Sequence, residues 1–116
     1  MSNREIVVSH DDFDNALAFL RDSAKALGEA KARAVRAEHM VKHVEALHAK
    51  MSNASSAEAR KAEARCSEEY LEAINEDAFA AGELAKLYAL REAAAMKCEA
   101  WRTEQATLRS LPRISG

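Results

Sequence analysis

The sequence predicts an all-α protein, built as a long antiparallel helical hairpin with a short extra helix after the turn and dimerising into a helical bundle. Three observations carry this. Twenty-six of the 116 residues are alanine, and Leu, Glu, Lys, Arg and Met fill most of the rest, with only 3 Gly and 1 Pro. These residues lose least side-chain entropy in a helix. Apolar residues recur every three or four positions over long stretches, and one cluster of Ser and Asn interrupts them.

Residues 1–9 form an N-terminal extended segment around Ile6, Val7 and Val8, the only β-branched cluster. Ser9, with Asp12 three residues on, resembles a capping box and opens helix one, expected over 10–51. Phe13, Leu17, Leu20, Ala24 and Leu27 fall on one face. Met40, Val44, Leu47 and Met51 form a second stripe whose register does not match the first, which predicts a rotation or bend near Gly28.

Residues 52–56 are the turn. Ser55 or Ser56 caps a short helix over 57–65, and Ser67 precedes a long helix over 68–110. Along the long helix Tyr70, Ile74, Ala78, Ala81, Ala85 and Tyr88 trace one stripe. Leu84, Leu87, Ala94, Cys98, Trp101 and Leu108 trace a neighbouring one. Pro112 ends the helix and leaves a tail over 111–116.

Folding about Ala54 sets the basic stretch of helix one against the acidic stretch 67–83 and brings Ile6 to Val8 near Trp101. A two-helix hairpin with few large side chains leaves half of its apolar band in water, so a partner is expected. The economical one is a second copy.

The formal net charge is -2, which favours neither nucleic acid nor a wholesale imitation of it. No run approaches the roughly 20 apolar residues of a membrane span, and the start lacks a signal-like segment, so we expect a cytoplasmic protein with no membrane partner. Cys66 and Cys98 are too few for a disulfide framework and are expected to be reduced.

No residue set announces catalysis, and neither an activity nor a cofactor is expected. His39 and His43 share a helix face at i, i+4, the spacing of a metal-binding pair, but no third ligand accompanies them; we read them as solvated or salt-bridged. Glu68, Glu69, Glu72, Glu76 and Asp77 open the long helix, where acids are favoured by the macrodipole. With Trp101 and Arg102 they are the candidate partner-binding residues. Lys31, Arg33, Arg36, Lys42 and Lys50 could follow a nucleic-acid backbone, although few aromatic residues accompany them for base stacking.

The segments Tyr70-Leu71-Glu72-Ala73 through Glu99-Ala100-Trp101-Arg102-Thr103-Glu104-Gln105, with Ala16 to Asp22 opening the first helix, resemble small helical proteins of bacteriophages and prophages. The Trp-Arg-Thr-Glu-Gln end is the distinctive part. The Ser-rich turn and the three histidines depart from the pattern. The resemblance implies a phage origin and no specific activity or catalytic residue. The expected function is therefore a non-enzymatic protein-binding module, possible targets being host nucleic-acid-handling or antiviral defence complexes that it inhibits or modulates. The alternative is a DNA- or RNA-binding accessory protein acting through the basic face of helix one.

Overall fold

The computed structural model describes residues 8–111. Among them it contains four helices and no strand: α1 (His10–Asp22), α2 (Ala24–Met51), α3 (Ala57–Ala64) and α4 (Glu68–Ser110). The Ser9 capping box is present in both directions, with the Ser9 hydroxyl accepting from the Asp12 amide and the Asp12 carboxylate accepting from the Ser9 amide. Ser56 caps α3 by accepting from Ala59 N–H. Ser67 accepts from Tyr70 N–H at the head of α4. Hydroxyls placed at these starts satisfy amides that have no partner within the helix. Pro112, the expected stop for the last helix, lies outside the described residues, as do Ile6 and Val7.

Contacts divide the chain into two compact units, Met1–Lys25 with Tyr88–Gly116, and Ala26–Leu87. In the first unit, Phe13, Ala16, Leu20 and Ser23 are withdrawn from solvent on one side, and Arg91, Ala94, Cys98, Trp101 and Gln105 on the other. Ala16, Ala94 and Cys98 form its core, with Phe13, Phe19 and Leu20 packed against them. Both sets alternate by threes and fours, the spacing of a two-helix seam. Leu17, expected on this face, is instead exposed, because the stripe is rotated by one residue so that the small Ala16 sits at the contact.

In the second unit the inward line of α2 is Leu27, Ala30, Ala34, Ala37, Val41, Val44 and His48. That of α4 is Tyr70, Ala73, Asp77, Ala80, Leu84 and Leu87. Arg33 of α2 meets Glu76 of α4, and His48 meets Glu69. The expected stripe of α2 is corrected here: Val44 faces in, but Met40, Leu47 and Met51 are exposed. The phase containing Met40 also contains Arg33 and Arg36, whereas the line from Leu27 to Val44 is uncharged over its whole length.

The break between the first two helices falls at Ser23, not at Gly28. Ser23 lies in the right-handed helical region, and its amide turns back to Phe19 and Arg21 carbonyls. Arg91 donates to the Leu20 carbonyl at 2.7 Å and to the Ser23 hydroxyl at 2.6 Å. In an unbroken helix the Leu20 carbonyl would accept from the amide of Ala24; here a guanidinium from α4 takes that role. The cause is a tertiary contact that no local pattern announces.

Arg91→Met should therefore lower stability by about 1–3 kcal/mol, since it leaves a part-buried carbonyl and hydroxyl without a partner. Met96→Ala, at an exposed position, should change it by less than about 0.5 kcal/mol. Chemical denaturation of the two variants checks the difference.

Candidate interaction surfaces

The first unit carries the expected contact residue Trp101. Its indole is half-buried and stacked on Phe13, with ring centroids 4.1 Å apart and 15° between planes. The His10 imidazole meets it edge-on at 5.8 Å. Arg102 is exposed and reaches Glu99 one turn back at 3.7 Å, a surface pair of small energetic weight. One face of Trp101 is thus committed to anchoring α1 on α4. The first turn of α1 also brings ligand atoms of His10, Asp11 and Asp14 within 4.8 Å of one another, all on exposed residues. It is the one such group of three among the described residues, and it includes neither His39 nor His43, both of which are exposed.

The second unit carries both charged candidate sets. Glu76 accepts two hydrogen bonds from the Arg33 guanidinium, at 2.7 and 2.9 Å. The same guanidinium lies 5.0 Å from the centroid of the Phe79 ring. These bonds hold the Glu76 carboxyl below its usual value and raise Arg33 further. Glu69 lies 3.6 Å from His48, an ion pair only when the imidazole is protonated. Glu45 pairs with Arg65 beyond α3. Glu68 and Glu72 are exposed, Asp77 is partly covered, and none of the three forms an ion pair among the described residues.

The basic set splits in the same way. Arg33 is committed to Glu76 and Phe79. Lys31, Arg36, Lys42 and Lys50 are exposed and form no ion pair among the described residues. Lys31, Ala32, Val35, Arg36 and His39 line a shallow, open depression on α2. A second, lined by Arg33, Arg36, Ala37, Met40 and Glu76, opens beside it. Neither is an enclosed pocket, and neither arranges a nucleophile beside a base.

Sequence patterning missed Phe79, Met40, Leu47 and Met51 as exposed apolar groups. Phe79 lies off both stripes of the long helix, which was the available signal for it. Among the described residues no helix is long and apolar enough to cross a membrane. Comparison with family models, with curated proteins and with solved structures finds no match to this chain.

The Glu76 shift has a definite pH signature. A carboxylate whose folded pKa is depressed contributes stability above its unfolded value, and loses it as pH falls through the folded one. Glu76→Gln should destabilise at pH 7, with the gap to the parent shrinking below about pH 4.5 and vanishing at lower pH. Urea denaturation at several pH values reads this directly.

Proposed function

We propose that this chain is a non-enzymatic, phage-type protein-binding module, folded as an antiparallel helical hairpin that turns at residues 52–56 and dimerises. It would work in the cytoplasm of a bacterial host by inhibiting or modulating a nucleic-acid-handling or antiviral defence complex. The observation that carries the binding role is the distribution of apolar side chains. The buried residues are Ala16, Ala37, Ala64, Ala73, Ala80, Ala94, Cys98 and Ser23, whereas Val35, Met40, Leu47, Met51, Leu71, Phe79, Leu90 and Met96 are each at least 45% exposed. Scattered surface leucines need no explanation, but eight large apolar side chains standing open beside a core whose fully buried members are all small supply contact area facing outward. The Trp-Arg-Thr-Glu-Gln resemblance supports the phage assignment.

For a host or phage partner each unit offers its own patch, the exposed edge of Trp101 with Arg102 in the first and the acidic start of α4 in the second. Glu68 and Glu72 remain available there, while Glu69 lies against His48 and Glu76 is held by Arg33. Asp77, the remaining acid of this set, lies on the partly covered inward line of α4.

A second reading is favoured by one observation: four of the five basic candidates on α2 form no ion pair among the described residues. Lys31, Arg36, Lys42 and Lys50 would then follow a DNA or RNA backbone. The two readings separate by titration with salt. Binding through four phosphate contacts would weaken with a log–log slope of about -3.6 on duplex DNA.

Tagged chain purified from infected cells should retain one partner at stoichiometric level. Trp101→Ala combined with Glu68→Lys and Glu72→Lys should abolish that retention, and Val35→Ala should not. No retained protein, combined with nucleic-acid binding at low salt that shows the expected slope, would replace the first reading with the second.

A further inference from the structure

We infer that the basic side of α2 takes a nucleic-acid duplex by its phosphates, and that His39 and His43 grade this binding with pH. The inference deepens the second reading above and rests on it. Along one side of the helix, positions 31, 32, 35, 36, 39, 42, 43, 46 and 50 read Lys, Ala, Val, Arg, His, Lys, His, Ala and Lys, and all are exposed. Their spacing keeps them on one side of a helix of 3.6 residues per turn. None is acidic. The set holds four fixed cations and two imidazoles, the side chain that gains charge between pH 8 and pH 5.

Composition selects the partner. The centres of protein–protein contacts are enriched in aromatic residues, Met and Arg and depleted in Lys. This side of α2 has three Lys, one Arg and no aromatic residue, and Val35 is its one apolar side chain larger than alanine. Phosphate contact asks for cations in number, which is what the set supplies. Single strands are held by stacking bases on aromatic rings, whereas a duplex presents its phosphates without that demand. Lys31 to Lys50 spans about 28 Å at 1.5 Å per residue, the length of about eight base pairs at 3.4 Å each.

Placement ties the histidines to the same site. His39 lines one shallow depression with Lys31 and Arg36, together with Ala32 and Val35, and His43 follows one turn on. The charged groups of α2 within a turn of them are Arg36, Glu38 and Lys42, with Glu45 turned to Arg65. From α4, Glu76 and Glu69 are turned to Arg33 and His48. Among the described residues no carboxylate pairs with His39 or His43. A phosphate brought against them favours the charged imidazole, so binding takes up protons and, by linkage, protons strengthen binding.

The experiment is fluorescence anisotropy of a labelled duplex of about 16 base pairs, twice the footprint, titrated with the full chain over a range of salt at about pH 8 and about pH 5.5. The log–log slope is expected to be about -3.6 at the higher pH, from four phosphate contacts, and about -5.4 at the lower, from six. His39→Gln with His43→Gln should remove this pH dependence. Lys31→Gln with Lys50→Gln should reduce the slope at the higher pH to about -1.8, with circular dichroism confirming unchanged helicity. A slope that is equal at both pH values, or a pH dependence that persists without the two histidines, overturns their role and leaves the nucleic-acid reading standing. No duplex binding at low salt overturns both. A single strand or polyglutamate that binds more tightly than the duplex overturns the choice of partner.

Discussion

Close approach of alanine faces is the constraint on which the rest of this structure depends. Where the inward positions are Ala30, Ala34 and Ala37 against Ala73 and Ala80, two helices can approach at the short end of the usual interaxial range. The backbones and Cβ atoms then supply the contact. This packing buries little apolar area per residue, and among the described residues no large side chain is fully enclosed. The larger residues are displaced to the flanks, where Met40, Leu47 and Phe79 lie open. An outward apolar surface thus follows directly from a small-residue seam.

Specific polar contacts fix what alanine alone leaves undefined. Alanine seams carry little shape information, so a slide by one turn would cost little. In the second unit the two hydrogen bonds between Arg33 and Glu76, with Phe79 under the guanidinium, fix the pairing at one end. Glu45 with Arg65 fixes it at the other. In the first unit the stacked Phe13 and Trp101 rings and the Arg91 contacts to Leu20 and Ser23 do the same work. Each is energetically modest where exposed. Together they select one register among nearly equal ones.

The helical class and most boundaries were legible because capping is local chemistry. Ser9, Ser56 and Ser67 each sit where a helix starts, and α4 runs Glu68–Ser110. Cys98 on the apolar band is buried, as its spacing implies. The choice of face was less legible. Hydrophobicity ranks Met40 and Leu47 above Ala34 and Ala37, yet α2 turns the smaller pair inward. The Ser23 break was illegible for a different reason, since it depends on Arg91, 68 residues away along the chain. Of the candidate sites, the charges were found and their division was not. Which of Lys31, Arg33, Arg36, Lys42 and Lys50 is consumed by a carboxylate depends on which faces pack.

The central proposal is that the exposed large apolar side chains of this protein serve contact with another chain, first of all with a copy of itself. Thermal unfolding measured across a hundredfold range of protein concentration tests it most directly, since a species stabilised by association melts higher as concentration rises. The account predicts a midpoint that climbs steadily with concentration. A midpoint that does not move, in a chain sedimenting as a monomer throughout, would contradict it.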